Sequence, residues 1–247
     1  LFIALKGKNF NGNKFIEKAF ASGASAVLCS NKAYKNKNNA IYVPSVRDAL
    51  SKISSNIASD FQGKKILITG SNGKTTMKEL LFNVFRKSFS THATSGNLNN
   101  HIGVPLTLLN IKNHHDIAII EMGANHIGEI KTLCEICLPN FGYITNFGLA
   151  HLEGFGGIKG VIKGKSELYE HLEKNQGTAF INPSDPIAVE KCNSKSLKFD
   201  LDVKFSSFKG FVKTSFGKET ITTLLSGSYQ ELNILATITM ARQFNID

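Results

Sequence analysis

The sequence predicts an α/β fold: a small N-terminal α/β domain followed by a central domain with a mostly parallel, doubly wound sheet. From residue 64 onward, apolar runs of strand length alternate with segments of helical period, a pattern typical of parallel sheets. A glycine-rich loop directly follows the first of these runs, and polar residues follow the next two. Ligands of open α/β sheets bind at such strand ends, so the same pattern indicates where a functional site lies.

Residues 1–62 are expected to form the N-terminal domain and residues 63–247 the central one. Short β-like runs and helical patterns alternate in the first part, at residues 2–5, 15–20, 24–28, 40–43 and 46–61. Gly63 ends the last helix, and the boundary is placed there for that reason. Because the chain begins at Leu1 inside an apparent strand, we expect the N-terminal domain to be incomplete at its start.

In the central domain, the strand that starts at Lys64 is followed by two further buried strands, predicted at residues 116–121 and 141–146. Helical patterns separate and follow them, at residues 77–85, 127–138 and from 158 onward. After about Ile181 the segments become shorter and richer in Lys, Ser and Thr. There we predict β-like runs and a final helix, at residues 202–205, 220–225 and 230–243.

The chain is basic, with 29 Lys and Arg against 19 Asp and Glu. Such a charge favours an anionic partner. The lysines are scattered through loops and are not interleaved with aromatic residues, so we expect no nucleic-acid partner; nucleic-acid binding would require a steep loss of affinity with salt. A solvated lysine-rich surface and the binding of small phosphorylated ligands both fit the same charge.

The four cysteines do not form a disulfide or zinc framework. Cys29 and Cys192 stand alone, and Cys134 and Cys137 form one Cys-x-x-Cys pair without a second pair or a matching histidine spacing. We therefore expect reduced thiols, with the pair on one face of a helix. No apolar run is long enough to span a bilayer, which predicts a protein that is not inserted in a membrane.

The glycine-rich loop is typical of a phosphate-binding P-loop. It follows an apolar strand and ends in a lysine and two hydroxyls, as Gly70, Ser71, Asn72, Gly73, Lys74, Thr75 and Thr76. In such a loop, backbone N–H groups and the lysine bind phosphates, and the first threonine binds Mg²⁺. The spacing between the two glycines is two residues shorter than in the common P-loop. The alternative is an ordinary strand-to-helix turn.

Two side chains at the ends of the next strands are candidate ligands. Glu121 ends the strand at 116–121, where it is a candidate metal ligand. Asn146 ends the following strand, and His151 lies five residues later in a loop at the same edge of the sheet. A lone histidine is usually structural, but the shared edge with Lys74 favours a ligand role for His151.

Lys165 occupies an apolar position of the helix that starts near Ile158. The apolar stripe of this helix contains Ile158, Val161, Ile162, Leu168, Tyr169 and Leu172. Lys165 lies three or four residues from four of these positions, so it is predicted to face inward. Burial lowers the pKa of a lysine from about 10.4 and favours the neutral amine, which can take up CO₂ to form a carbamate able to hold Mg²⁺. The alternatives are a side chain that extends to the surface or pairs with a carboxylate.

Together these segments resemble the Mur ligases, the ATP-dependent amide-forming enzymes of peptidoglycan synthesis. The P-loop resemblance covers Thr69-Gly-Ser-Asn-Gly-Lys-Thr-Thr, and the first domain resembles the UDP-binding domain of the family from Phe2-Ile-Ala-Leu-Lys-Gly to Asn11-Gly-Asn-Lys-Phe. Three more motifs resemble the branch that adds D-alanyl-D-alanine: Ser95-Gly-Asn-Leu-Asn-Asn-His-Ile-Gly-Val-Pro, Glu121-Met-Gly-Ala-Asn-His-Ile-Gly-Glu-Ile and His151-Leu-Glu-Gly-Phe-Gly.

The resemblance implies a role for each matching residue. Lys165 would be the carbamylated lysine, and together with Glu121 and His151 it would hold one Mg²⁺, while Thr75 and the nucleotide phosphates hold another. Asn146 and Asn233 would lie near the adenine. Asn97, Asn99 and Asn100 would lie toward the muramoyl peptide, and Lys8, Asn9 and Phe10 toward the uridine nucleotide.

Two features depart from the family pattern. Gln230 stands where relatives have Asn, which puts one polar contact in doubt. The chain also stops at Asp247, where the third, Rossmann-like domain of the family would start. We therefore expect a fragment that lacks this domain and has no turnover by itself.

The resemblance implies a cytoplasmic, monomeric ligase that joins D-alanyl-D-alanine to UDP-N-acetylmuramoyl-tripeptide through an acyl phosphate, with ATP and Mg²⁺. Lys74, Lys165 and His151 would be its catalytic residues. One alternative is a ligase of the same family that adds a single amino acid. The other is a module that binds nucleotide and substrate without turnover.

Overall fold

A computed structural model of the protein describes residues 1–199, 202–216 and 219–246. The N-terminal part is a parallel three-stranded sheet in the order β1-β2-β3 with a short helix packed on it. Its elements are β1 (Phe2–Ile3), α1 (Ile16–Ala21), β2 (Val27–Cys29) and β3 (Ala40–Tyr42), with single 3-10 turns before α1 and after β2. The strands are shorter than the predicted runs: β1 keeps the first two residues of 2–5, β2 overlaps only the end of 24–28, and β3 keeps the first three residues of 40–43.

Helix α2 (Val46–Asp60) connects this sheet to the rest of the molecule. Ser45 caps its first turn, since its Oγ accepts from Asp48 N at 3.2 Å. Ser54 Oγ donates to the Pro105 carbonyl at 3.1 Å, and Ala58 is fully buried in the larger core. The helix therefore packs against the central part.

The central part contains a six-stranded sheet in which all strands are parallel, as the sequence predicted. Its order is β5-β6-β4-β7-β8-β9. The strands are β4 (Lys64–Thr69), β5 (Thr91–Ala93), β6 (Ile117–Glu121), β7 (Phe141–Ile144), β8 (Thr178–Ile181) and β9 (Lys195–Lys198). Sequence analysis did not predict β5, β8 or β9.

Helices cover both faces of this sheet. They are α3 (Lys74–Phe85), α4 (Gly103–Leu109), α5 (Glu129–Cys137), α6 (Leu152–Phe155), α7 (Ile158–Lys174), α8 (Pro186–Lys191) and α9 (Tyr229–Gln243). Alternate residues of β4 enter two separate cores: Leu67 packs with α4, α5 and α7, while Ile66 and Ile68 pack with α3 and α9. The doubly wound arrangement is thereby confirmed, and it places the carboxyl ends of β4, β6 and β7 at one edge.

An antiparallel three-stranded sheet precedes α9 and consists of β10 (Lys204–Phe208), β11 (Phe211–Phe216) and β12 (Glu219–Ser226). The run predicted at 202–205 was placed two residues early, and β11 was not predicted. Asp247, where the predicted central domain ends, lies outside the described residues.

All four cysteines are free thiols, and Cys134 and Cys137 are buried together on α5, as expected. Among the described helices, none has both the length and the apolar character to cross a membrane.

Candidate active site

The glycine loop between β4 and α3 is closely packed against the end of β7. Gly70 has a φ of 139°, and a Cβ at this position would overlap the Thr145 hydroxyl, so only glycine fits. Ser71 N donates to the Asn146 carbonyl at 3.1 Å, and Asn146 Nδ2 donates to the Asn72 carbonyl at 3.0 Å. Asn146 therefore holds the loop in place, a role that the sequence did not indicate.

Lys74 begins α3, and its amine folds back into the loop. Its Nζ donates to the carbonyl oxygens of Gly70 at 2.8 Å and Ser71 at 3.0 Å. Burial lowers the pKa of Lys74, and the negative charge of Glu121 opposes this effect. The amine thus lies in the concave side of the loop, near the carboxylate at the end of β6.

Glu121 is a buried carboxylate, and one of its two oxygens accepts no hydrogen bond from the described residues. Only 1% of its surface is exposed. Its Oε1 accepts from Thr75 Oγ1 at 3.2 Å and from Asn99 Nδ2 at 2.7 Å. Its Oε2 is buried and has no hydrogen-bond partner within the described part of the chain. A buried carboxylate oxygen without a partner is unfavourable in this state and suits a cation.

Lys165 faces inward on α7, as its helical position predicted. It is 1% exposed, so its side chain does not reach the surface. Its Nζ lies 5.5 Å from the centroid of the Phe155 ring, and within residues 1–199, 202–216 and 219–246 it makes no hydrogen bond or ion pair. Burial, and then the charge of Lys74, lower its pKa to about 8. The amine therefore has a substantial neutral fraction near physiological pH.

A cavity of about 740 Å³ opens beside Lys74, and neither Glu121 nor Lys165 is among its lining residues. Lys74, Asn99, Asn100 and His151 line it, together with the segment that follows β6. His151 is exposed and has a φ of 53° at the start of α6. No three His, Cys, Asp or Glu side chains in the described regions are grouped to hold a metal ion. A metal at Glu121 would accordingly require other donors, such as the Thr75 hydroxyl, phosphate oxygens or a modified Lys165.

The other predicted residues are distributed around this centre. Asn233, on α9, lies beside Gly73, and its Nδ2 donates to Gln230 Oε1 at 2.9 Å, so the amide of Gln230 serves to orient Asn233. Thr76 lines a shallow groove on the other side of α3. Asn100 Oδ1 accepts from Gly103 N at 2.9 Å at the start of α4, in addition to lining the cavity.

Four predicted substrate residues do not line the cavity. Asn97 is exposed on the loop before α4, and Lys8, Asn9 and Phe10 are exposed in the N-terminal part. Phe10 is 57% exposed and stacks on Phe15, with ring centroids 5.6 Å apart. The structure thus groups Asn99 and Asn100 with Lys74 but does not bring the N-terminal residues to the same cavity.

Lys78 and Glu167 are buried charged residues that sequence analysis did not predict. Lys78, on α3, is 1% exposed, and its Nζ donates to the Gly96 carbonyl at 3.0 Å and pairs with Glu79 at 2.8 Å. Glu167, on α7, is 6% exposed and accepts from Gly128 N at 2.6 Å. No sequence signal marks either residue, because each binds backbone groups of a distant segment.

Comparison with known families matches both parts of the chain. The model of the Mur ligase middle domain matches residues 68–241, and that of the Mur ligase family, catalytic domain, matches residues 1–57. Among curated proteins, the chain is 36% identical to a UDP-N-acetylmuramoyl-tripeptide:D-alanyl-D-alanine ligase of Buchnera aphidicola subsp. Baizongia pistaciae, covering 100% of the chain and 57% of that protein. It is 32% identical to the Bacillus subtilis ligase of the same name, covering 100% of the chain and 56% of that protein.

Solved structures agree with these matches. A crystal structure of MurF from Acinetobacter baumannii superposes with a TM-score of 0.87 and 29% identity, over 99% of this chain and 56% of that one. MurF ligase from Thermotoga maritima in complex with ADP superposes with a TM-score of 0.86 and 32% identity, over 100% of this chain and 60% of that one. The chain thus spans a little over half the length of these relatives.

Proposed function

The chain belongs to the Mur ligase family, and from that premise we propose that its gene product is an ATP-dependent ligase that joins D-alanyl-D-alanine to UDP-N-acetylmuramoyl-tripeptide. The relatives that cover all of this chain carry that activity in their names. The observation that carries the proposal is the arrangement around Lys74, whose amine lies in the P-loop and which lines the cavity. Its pKa is affected by the buried Glu121, one oxygen of which has no hydrogen-bond partner among the described residues, and its charge in turn lowers the pKa of the buried Lys165.

The reaction has two steps. The terminal carboxylate of the tripeptide attacks the γ-phosphorus of ATP, which forms an acyl phosphate and releases ADP. The amine of D-alanyl-D-alanine then attacks the acyl carbon, loses a proton and expels inorganic phosphate, which leaves the new amide. No covalent bond to the protein is required. The protein contributes by positioning the reactants and by neutralising charge.

Lys74 acts on the first step. Its amine lies in the concave side of the glycine loop, where the transferring phosphoryl group would bind. There its positive charge offsets the negative charge on the phosphate oxygens in the transition state. Asn146 keeps the loop in shape, and Asn233 beside Gly73 lies where it would contact the nucleotide base or ribose.

Mg²⁺ would be held by Thr75 and Glu121, with His151 and Lys165 as further candidate ligands. The unpartnered Glu121 Oε2 supports this set, because a hard cation prefers carboxylate and hydroxyl oxygens. When bound, the ion supplies charge neutralisation at the phosphate oxygens. Lys165 would join the set after its neutral amine adds to CO₂ and loses a proton, which gives an anionic carbamate. Its lowered pKa of about 8 and the lack of a polar partner for it among the described residues support this modification.

The remaining assignments follow the position of each side chain. Asn99 and Asn100, which line the cavity, would contact the peptide of the substrate. Phe10, with Lys8 and Asn9 on the same exposed loop, would contact the uridine nucleotide in the domain formed by residues 1–62. Residues 63–247 would form the nucleotide-binding domain. We infer a cytoplasmic protein, because the proposed substrates are cytoplasmic precursors, and a monomer, as the family resemblance implies.

Calorimetry followed by an assay tests this proposal. This chain is titrated with UDP-N-acetylmuramoyl-tripeptide, with and without an ATP analogue and Mg²⁺. Phosphate release by the complete gene product is then measured on addition of D-alanyl-D-alanine or of single amino acids. We expect turnover on addition of D-alanyl-D-alanine and none on addition of a single amino acid. Turnover with a single amino acid would instead identify a ligase of different specificity, and absence of binding and turnover would refute the proposal.

A further inference from the structure

Glu167 is a buried carboxylate that the proposed mechanism does not use. It lies on α7 two residues after Lys165 and is 6% exposed. Its Oε1 accepts from Gly128 N at 2.6 Å, and its Oε2 accepts from Lys131 N at 2.8 Å. No lysine or arginine side chain of the described residues forms an ion pair with it. A buried charge is costly unless it is compensated, and here the N–H groups at the start of α5 compensate it.

The segment that Glu167 holds is a wall of the cavity. Residues 123–128 connect the end of β6, which carries Glu121, to the start of α5, and five of these six residues line the cavity. Within the segment, Glu129 Oε2 accepts from Asn125 N at 2.7 Å and from His126 N at 3.3 Å. The segment is therefore folded onto Glu129, and Glu167 is its hydrogen-bonded connection to α7.

A second contact brings α7 against the same segment. A Cβ on Gly164 would lie 3.5 Å from Ile127 Cα, so the helix and the cavity wall are in close contact one residue before Lys165. Lys165 and Glu167 are two residues apart on α7, and a helix is rigid over two residues. The bonds of Glu167 therefore set where Lys165 lies relative to the cavity wall. Loss of these bonds would leave α5 and α7 joined through their shared hydrophobic core but would free the backbone N–H groups of Gly128 and Lys131 from α7.

We propose that Glu167 is a positioning residue: its carboxylate fastens the cavity wall at Gly128 and Lys131 to α7 and thereby sets the distance between the Lys165 amine and the groups around Glu121. The two hydrogen bonds of Glu167 are observed in the structure and do not depend on the proposed function. Their consequence for turnover rests on the proposed function.

Glu167→Gln tests the connection with little change in shape. The amide keeps one accepting oxygen, but its NH₂ group faces a backbone N–H that it cannot accept from, and the negative charge at the start of α5 is lost. Glu170→Gln is the matched control, because Glu170 is exposed on the same helix. Glu167→Asp is a second variant, which keeps the charge but is one methylene shorter.

Amide hydrogen exchange of the complete gene product is the direct measurement. In Glu167→Gln we expect exchange at Gly128 and Lys131 to rise about tenfold or more, since charge-assisted hydrogen bonds are lost. Glu167→Asp should give a smaller rise, and Glu170→Gln should match the wild type. Exchange at these amides that is unchanged in Glu167→Gln would overturn the proposal, whether or not the protein is a ligase.

Kinetics separate positioning from general stability. We expect kcat for phosphate release to fall about tenfold or more in Glu167→Gln, while the Kd for an ATP analogue stays within about twofold of wild type. A fall in kcat accompanied by an equal loss of nucleotide affinity and of thermal stability would show a merely structural role. If the wild type itself does not turn over, the proposed function fails, and the exchange data still decide whether Glu167 fastens the wall.

Discussion

Lys74 is held inside its own loop by two carbonyl oxygens, at the point from which a lysine reaches nucleotide phosphates. In Lys74→Ala this positive charge is absent from the transition state, so we expect kcat of the complete gene product to fall by at least about 10²-fold. Phosphate release measures the effect. Lys87→Ala, which changes an exposed lysine after the end of α3, is the control. Near-normal ligation by Lys74→Ala would contradict the P-loop assignment.

Lys165 combines nearly complete burial with the absence of a polar partner among the described residues, which is an unusual state for an amine. If its carbamate holds a metal, Lys165→Ala should lose most activity, about 10²-fold in kcat, because one anionic ligand is missing. Short carboxylates such as acetate should restore part of the activity by occupying the vacated space. The measurement is phosphate release with increasing carboxylate concentration.

Lys163→Ala is the control for that experiment, because Lys163 is exposed on the same helix. It should retain activity and show no response to carboxylates. Full activity of Lys165→Ala would exclude a metal-ligand role, and loss of activity without rescue would leave only a role of the amine itself.

The contrast between Lys165 and Glu167 shows how far sequence analysis reaches at the scale of single residues. Lys165 occupies an apolar position of a helical repeat, so its inward orientation was predicted from local spacing alone. Glu167 accepts hydrogen bonds from backbone groups of residues 36 and 39 positions away. Backbone N–H groups have no residue-specific signal, so this buried carboxylate became visible only in the fold.

At the scale of elements, α7 depends on close packing against α6. A Cβ on Gly160 would overlap the Phe155 carbonyl oxygen, and the Phe155 ring lies beneath Lys165. Gly160→Ala should therefore displace α6 and lower the free energy of unfolding by about 1–3 kcal/mol. Urea denaturation measures this change. Lys159→Ala, at an exposed neighbouring position, should stay within about 0.5 kcal/mol of wild type; equal stability of both variants would contradict the packing argument.

Three of the strands that sequence analysis missed, β5, β9 and β11, share a physical cause. β5 (Thr-His-Ala) and β9 (Lys-Ser-Leu-Lys) are short edge strands without an apolar run, because one side of each has no neighbouring strand. β11 has three consecutive polar residues, Lys213, Thr214 and Ser215, and so shows neither an apolar run nor an alternating pattern. Pairing with neighbours, which local sequence does not encode, makes these segments strands.

At the scale of the whole molecule, stability should depend on pH through a histidine cluster between β5 and β6. His92 Nε2 lies 2.9 Å from the Thr107 carbonyl oxygen, and its ring stacks on His115 at 5.2 Å. Burial lowers the pKa of His92, although the hydrogen bond to Thr107 opposes this. The pKa of His115 is lowered by burial and then by His92, His114 and Lys112, with Asp116 opposing.

Because these pKa values are lower in the folded state than the ordinary value of 6.5, the unfolded chain binds more protons as pH falls. The contribution of His92 and His115 to the free energy of unfolding is fully present above pH 6.5. It decreases as pH falls through their folded-state pKa values. His92→Gln keeps a donor for Thr107 and should show a smaller loss of urea stability between about pH 7.5 and pH 5.5 than wild type. His101→Gln, at an exposed position, is the control; an unchanged pH dependence in His92→Gln would contradict this origin.

The sequence by itself determined the parallel α/β architecture, the glycine loop and the inward lysine. Each of these features follows from residues that are close together in the chain. Apolar runs of strand length indicate the sheet, a motif directly after one of these runs indicates the loop, and a helical repeat indicates the inward lysine. For that reason local sequence predicts Lys74, Glu121 and Lys165 as site residues, and the resemblance to the Mur ligases agrees with the family models.

Only the tertiary structure decided how those residues act together. It showed that one buried oxygen of Glu121 has no partner among the described residues and that Asn146 holds the glycine loop. It also showed that α2 packs on the central part and that Glu167 accepts hydrogen bonds from the cavity wall. The physical reason is common to all four. Each depends on contacts between segments far apart in the chain, and mostly on backbone groups that every residue carries, so their identity is set by the fold and not by local sequence.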